Sequence, residues 1–144
     1  ITCRDWSSDV CSSDLDQNQD LMDAYDDALT DLADLLNARL RQRLQYVERL
    51  QQRKGASREQ FAFLIATWLT FWRDVMIRRE GANIPLVNID HEQQINETAQ
   101  LIPSGQIEKI LKEHEKALVN LDANLNPRLV IENLILGFPL LRVA

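Results

Sequence analysis

The chain has 144 residues, of which 45% are hydrophobic and 26% charged, a composition that suits one folded domain with a core and excludes wholesale disorder. With four Gly, four Pro and apolar residues that recur at helical rather than strand spacing, the expected class is all-α. The net charge of −6 is uneven, because residues 1–34 hold ten Asp and one Arg and so carry −9, which leaves +3 for residues 35–144.

Three further features argue against a membrane span, a disulfide framework and a secretory signal. The longest apolar run near the middle of the chain, residues 61–71, is interrupted and shorter than the ~20 residues that cross a bilayer. Cys3 and Cys11 both lie in a polar segment without metal-type neighbours. The first residues lack the basic start and apolar stretch of a secretory signal. We therefore expect a soluble, cytoplasmic protein without a membrane partner.

Residues 1–15 look foreign to the remainder of the chain. They have little periodicity and repeat Ser-Ser-Asp beside a hydrophobic residue. The segment resembles a translated sequencing-library adapter, of the kind found at the broken end of an assembled reading frame. We therefore expect residues 1–15 to be non-native and the helical domain to occupy residues 16–144, with a native disordered tail as the alternative.

Residues 20–54 are predicted to be helical, because apolar residues from Leu21 to Leu50 recur at steps of three and four. A break near Asn37 is expected, since asparagine favours caps and turns. The second half of this stretch carries a basic strip in which seven cationic residues are interrupted by the single acid Glu48. The basic strip consists of Arg39, Arg41, Arg43, Arg49, Arg53, Lys54 and Arg58.

The basic strip is a candidate contact for DNA or for an acidic partner surface. Clustered Arg and Lys neutralise nucleic-acid phosphates, and binding of this kind weakens steeply as salt rises. The strip lacks interleaved exposed aromatic residues on which bases could stack. A plain solvated helix face is the competing interpretation.

The next predicted helix begins after Gly55 and runs to about Arg79. Gly55 is a natural helix stop, and Ser57 with Gln60 three residues later matches a capping box. The helix carries a wide apolar stripe that includes the two tryptophans Trp68 and Trp72. Burying a large aromatic side chain contributes roughly 1.5–3 kcal/mol, so this helix is expected to be the central element of the bundle.

Two shorter helices are predicted next, at about residues 90–101 and 105–122. Asp90 is the candidate N-cap of the first helix, which follows a loop. His114 lies on the apolar stripe of the second helix, where a lone histidine is more often a hydrogen-bonded core residue than a ligand. Asn124 suits a left-handed exit from that helix.

The last predicted helix, at about residues 127–138, starts with Asn126 as N-cap and Pro127 in the first turn. It is apolar around most of its circumference, unlike an amphipathic surface helix, and therefore needs cover on several faces. That cover is expected from its own bundle, from a neighbouring subunit, or from both. The candidates for contact with another subunit, each of which could instead be ordinary core, are Leu134, Ile135, Phe138 and Leu140.

We find no pattern in the sequence that indicates an enzyme. There is no Gly-rich phosphate loop, no Gly-x-Ser-x-Gly elbow and no cysteine in a reactive setting. Most carboxylates are Asp on the solvated face of the first helix, so no general acid and base stand out. We therefore assign no catalytic, cofactor or metal-binding residues.

Several segments together carry a resemblance to a known family. In chain order they are residues 39–54 with Val47, Glu48 and Leu50, then Arg58-Glu59, then Trp68-Leu69-Thr70-Phe71-Trp72-Arg73-Asp74, then Leu86-Val87-Asn88-Ile89-Asp90, and residues 121–136. The most specific parts are the tryptophans with Arg73-Asp74, and Asn124-x-Asn126-Pro127-Arg128-Leu129 with Glu132. Over roughly residues 28–141 the chain resembles the C-terminal helical domain of the delta-prime subunit of bacterial DNA polymerase III, a clamp-loader component.

This resemblance implies a collar-like bundle of five or six helices. In that family the C-terminal helical domains pack into a ring that holds the loader together, and upstream AAA+ modules bind ATP in the motor subunits. The AAA+ module, zinc module and arginine finger of the family have no counterpart here, so the resemblance implies no nucleotide, metal or other cofactor for this chain.

The implied function is non-catalytic assembly of the loader that places sliding clamps on DNA during bacterial replication, within a DNA-directed DNA polymerase holoenzyme. The implied partners are other loader subunits, with DNA reached through the complex. Trp68 and Trp72 would anchor the core, and Arg73 and Asp74 would pair with each other or with a neighbouring helix, or form an exposed ion pair. The alternatives are the similar collar domain of the motor subunit, an independent nucleic-acid-binding protein that uses the basic strip, and a small helical enzyme.

Overall fold

A computed structural model of the chain describes residues 7–52 and 57–141, with side chains for residues 19–52 and 57–141. The described residues form α-helices and one short 3-10 turn, without a strand. The helices are α1 (Ser7–Leu36), α2 (Leu40–Gln52), α3 (Arg58–Arg79), α4 (Glu92–Leu101), α5 (Ser104–Asp122) and α6 (Pro127–Leu136), and the 3-10 turn is Ile89–His91. The predicted all-α class is confirmed. Within the described ranges, no helix is long and apolar enough to cross a membrane.

The predicted break between the first two helices is confirmed at residues 37–39. The amides of Asn37 and Ala38 bond back to the carbonyls of Asp34 and Leu35, each at 3.2 Å, and so close the last turn of α1. Helix α1 begins at Ser7, thirteen residues before the predicted start. Extending an existing helix fixes only one residue for each new bond, which favours continuation through a polar stretch. The predicted stop at Gly55 lies outside the described residues.

Helix α3 is the central element, as predicted, because it packs against α1, α4, α5 and α6. Its start is the predicted one: the Ser57 hydroxyl oxygen accepts a hydrogen bond from the Gln60 amide at 3.2 Å. Trp68 and Trp72 lie fully buried along it. The fully buried aliphatic side chains that surround α3 come from α1 (Leu29, Leu32 and Leu36), α4 (Ile95), α5 (Ile107 and Leu121) and α6 (Ile131).

The predicted role of Asp90 as N-cap of α4 is wrong. Asp90 lies inside the 3-10 turn, α4 begins at Glu92, and its flanking residue His91 makes no side-chain capping bond. The amide of His91 instead closes the turn by bonding to the carbonyl of Asn88 at 3.0 Å. Since Asn88 is itself held by α3, as described below, tertiary contacts set this helix start and a local cap does not.

Candidate interaction surface

The segment before α6 forms the helix N-terminus that its sequence pattern predicts. Asn124 adopts the left-handed conformation, with φ of 63°, after the end of α5. The Asn126 side-chain oxygen accepts a hydrogen bond from the Arg128 amide at 2.9 Å, and Pro127 occupies the first turn. Arg128 and Glu132 form an ion pair at 3.8 Å on a partly exposed face, where such pairs contribute about 0–1 kcal/mol. The segment therefore fixes where α6 begins.

Trp68 and Trp72 occupy the centre of the core. The indole N–H of Trp68 donates to the Ala28 carbonyl of α1 at 2.9 Å, and the Trp68 ring meets the edge of Phe138 with centroids 5.4 Å apart. Trp72 packs against Phe71 at 5.5 Å in a similar edge-on arrangement. The tryptophans thus tie α1 and the segment after α6 to α3.

His114 is a hydrogen-bonded core residue, as predicted. Its Nδ1 lies 2.8 Å from the Ile110 carbonyl, and its ring stacks on Phe138 with centroids 5.6 Å apart and planes 7° apart. Its Nε2 is buried and has no hydrogen-bond partner among the described residues. Burial disfavours the charged imidazolium and lowers the pKa of His114 to about 4, although the bond to Ile110 partly opposes this.

We expect His114 to make the free energy of unfolding fall as the pH drops from about 6.5 to about 4. The unfolded histidine takes up a proton near pH 6.5, whereas the folded one does so only near 4, so acid favours the unfolded state between these values. The loss should approach roughly 3 kcal/mol at the acid end. Urea unfolding at pH 7, 5.5 and 4 would measure it, and a His114→Leu variant with the same pH slope as wild type would refute it.

Asp74 fixes the loop between α3 and α4. The Asp74 carboxylate is fully buried, and it accepts hydrogen bonds from the Val87 amide at 3.1 Å and from the Asn88 amide at 2.7 Å. The Asn88 side chain adds a bond to Asp74 at 2.9 Å, and its oxygen accepts from the Tyr25 hydroxyl of α1. Arg73 is exposed. The predicted pairing of Asp74 with Arg73 or with a neighbouring helix is therefore corrected, since a buried carboxylate needs several donors and the loop supplies them.

Arg43, a member of the basic strip, is buried inside the fold. Its side chain is only 6% exposed, and its guanidinium donates to four backbone carbonyls. These are Leu35 near the end of α1 (3.0 Å), Ile135 near the end of α6 (3.3 Å), and Phe138 (2.7 Å) and Pro139 (3.0 Å) just beyond it. Carbonyls at helix C-termini lack intrahelical donors and favour a cation. Burial lowers the pKa of Arg43. Arg43 is thus a structural link and not an external contact, contrary to the prediction.

The rest of the basic strip is divided. Arg39, Arg41 and Arg49 are exposed on or next to α2. Arg58 donates to the carbonyls of Leu121 at 2.7 Å and Leu125 at 3.0 Å, so its guanidinium binds the end of α5. The two remaining members of the strip, Arg53 and Lys54, lie outside the described residues. Among the members that the structure describes, three exposed cations therefore remain as candidates for DNA or for an acidic surface.

Three of the four predicted subunit-contact residues belong to the chain's own core. Leu134 and Phe138 are 6% and 5% exposed, and Ile135 is fully buried. The bundle itself covers them, because α6 packs against α2, α3 and α5. Leu140, the fourth candidate, is 56% exposed and remains available.

The exposed apolar surface of this region lies instead at Leu125, Leu129 and Leu136, which we call the leucine patch. Their exposed fractions are 48%, 57% and 40%. Leu129 and Leu136 are seven residues apart and therefore share one face of α6. Leu125 and Leu129 border an open groove of about 310 Å³ between α5 and α6, whose polar edge includes Asn133. The sequence places Leu129 and Leu136 beside the polar stripe of α6, but a helix that is apolar around most of its circumference does not mark them as exposed.

Among the described residues, no three His, Cys, Asp or Glu side chains are arranged so that they could hold a metal ion. Comparisons of the chain with protein-family models, with curated proteins and with solved structures find no match.

Proposed function

We propose that this chain is a non-catalytic helical domain that joins protein subunits, of the kind that forms the collar of a bacterial clamp loader. In this proposal it acts in the cytoplasm during DNA replication, and its partners are other loader subunits. The observation that carries the proposal is the leucine patch on α6. A second, weaker argument is the family resemblance of the motifs.

The leucine patch has the composition of a subunit contact. Single exposed leucines are ordinary, but here three lie within one helix and its entry turn. The polar side chains of Glu132 and Asn133 lie on the same helix beside them, so the surface combines apolar and polar groups, as interfaces do.

The helix that carries the leucine patch is also held in place at both ends. Asn126 caps the start of α6, and Arg43 binds the carbonyls at its end, so the helix is tied down at both termini. The buried residues Ile131 and Ile135 hold the opposite face. A surface that is ordered before binding loses less conformational entropy when a partner docks.

The segments that carry the resemblance contact one another in the bundle. Asp74, in the tryptophan motif, binds the backbone of residues 87 and 88 in the second motif. Trp68 packs on Phe138, which follows the last motif.

Direct DNA binding through the basic strip is less favoured. Arg43 donates to backbone carbonyls through all three of its guanidinium nitrogens, and Arg58 donates to two carbonyls through one nitrogen. Three exposed arginines on or beside one short helix remain among the described members, and each neutralised phosphate adds to salt-dependent affinity. The described part of the strip would therefore supply only a small electrostatic contribution to DNA affinity.

We expect the double variant Leu129→Gln plus Leu136→Gln to bind a mixture of purified motor and delta subunits of a bacterial clamp loader at least about 10-fold more weakly than wild type. The lost contact is apolar, and both side chains are already exposed, so the free energy of unfolding should change little. Size-exclusion chromatography and calorimetric titration would measure the complex. Val119→Gln, at a 64% exposed site on α5, is the matched control.

Two outcomes would contradict the proposal. The first is a monomer that shows no complex with the loader subunits in either assay. The second is wild-type affinity for a DNA duplex that falls steeply with salt and with Arg39→Gln plus Arg41→Gln, in the absence of any affinity for the subunits. That second result would favour the nucleic-acid-binding alternative.

A further inference from the structure

A second surface, between α1 and α3, combines an apolar floor with an acidic edge. The open groove there has a volume of about 500 Å³. Ala28 and Leu64 form part of its buried floor, while Leu21 and Phe63 stand at its margin with 54% and 36% of their surfaces exposed. A volume of this size lies within the range of ligand-binding pockets in proteins.

Among the residues that the structure describes, the charged ones that line the groove are all acidic. They are Asp27 and Asp31 of α1 and Glu59 of α3. The same helix exposes Asp20 and Asp23 one to two turns upstream of Asp27, and residues 19–38 contain no Lys or Arg. An occupant therefore has to bring positive charge, and a nucleic acid or other phosphate-bearing ligand is repelled.

The shape of the groove fits a helix. Its α1 wall consists of residues at positions 21, 24, 27, 28 and 31, which lie three or four residues apart along one face of α1, so it follows that face for roughly 15 Å. An amphipathic helix laid into such a trough places residues at every third or fourth position on the floor and its flanking residues against the edges.

We propose that the groove between α1 and α3 binds a basic amphipathic helix of a partner protein. Its leucine-type side chains lie on Ala28 and Leu64 between Leu21 and Phe63, and its Lys or Arg residues lie beside Asp27 and Glu59. This site shares no residue with the leucine patch and requires a basic occupant, so it goes beyond the subunit contact proposed for α6.

The experiment uses a defined probe. An acetylated and amidated Leu–Lys peptide of about four helical turns, with all its leucines on one face, would be titrated into the isotopically labelled full chain. NMR shift changes are expected at residues 21–31 and 59–64, with an affinity that weakens as salt rises. The same peptide with Glu in place of Lys should bind at least about 10-fold more weakly.

Matched variants separate the apolar from the electrostatic contribution to the affinity for the peptide. Leu21→Gln plus Phe63→Ser should reduce affinity at least about 10-fold, and Asp27→Asn plus Glu59→Gln should reduce both the affinity and its dependence on salt. Leu101→Gln, at an exposed leucine of α4, and Asp122→Asn, at an exposed aspartate of α5, should leave binding unchanged.

Three results would overturn this assignment. Shift changes that map to other residues would place the peptide elsewhere. Equal affinity of the Lys and Glu peptides would show that the acidic residues of the groove do not contribute to binding. Concentration-dependent self-association that Leu21→Gln abolishes would identify the occupant as a second copy of this chain. None of these results depends on whether loader subunits bind the leucine patch, so failure of one proposal leaves the other testable.

Discussion

Replacement of Trp68 by alanine is expected to lower the free energy of unfolding by about 4 kcal/mol, because the change empties a fully buried site at the centre of the bundle. The indole contacts Phe138, and its N–H bonds to the Ala28 carbonyl, so the variant also loses a link between α3 and α1. A loss of this size corresponds to a drop in Tm of about 10–15 °C for a chain of this length. Thermal and urea unfolding followed by circular dichroism would measure it.

Phe63→Ala is the matched control, since Phe63 is an aromatic residue on the same helix but 36% exposed. Its cost should stay near or below about 1.5 kcal/mol, because only part of the ring leaves an apolar environment. If the two variants were equally destabilised, the central packing position of Trp68 would be refuted.

Replacement of Arg43 by methionine is expected to cost about 3 kcal/mol, which is the second largest effect. Methionine can fill most of the volume, but it cannot donate to the carbonyls of Phe138 and Pro139, and acceptors left without donors in the fold are costly. The Leu35 carbonyl would keep only its bond from the Ala38 amide. The segment after α6 should loosen first, because Arg43 supplies two of its bonds. Chemical denaturation would give the free energy, and hydrogen exchange at residues 136–141 would locate the effect.

Two further variants sharpen this test. Arg43→Lys should recover only part of the loss, since an ammonium group cannot reproduce the planar fork that reaches several carbonyls at once. Arg41→Met, at an exposed arginine of the same helix, should change the free energy of unfolding by less than about 0.5 kcal/mol. Equal effects at positions 41 and 43 would show that charge, and not the buried hydrogen bonds, matters.

Arg43 and Asp74 are charged side chains whose structural roles differ from those that the neighbouring residues in the sequence predict. Arg43 lies in a run of cations, and Arg, like Asp, is rarely buried unless it is paired, so solvent exposure was the reasonable prediction. The fold instead surrounds Arg43 with the ends of two helices and Asp74 with the amides of a loop. In both cases backbone groups, which the sequence does not distinguish, supply the partner.

The amino-acid sequence alone determined the helical class, the break after Leu36, and the starts of α3 and α6. Those features depend on bonds within a few residues, such as Ser57 to Gln60 and Asn126 to Arg128, so local residue types suffice. It also identified Trp68, Trp72 and His114 as core residues, because helical periodicity alone places them on the apolar stripe.

Tertiary structure alone decided which faces of those helices stay exposed. The periodicity of α6 is apolar on most sides, and only its packing against α2, α3 and α5 separates the buried Ile135 from the exposed Leu129. The partners of Arg43 on α6 and beyond it lie 92 to 96 residues away along the chain. Contacts of that range depend on the mutual arrangement of whole helices, and no spacing within a single helix encodes them.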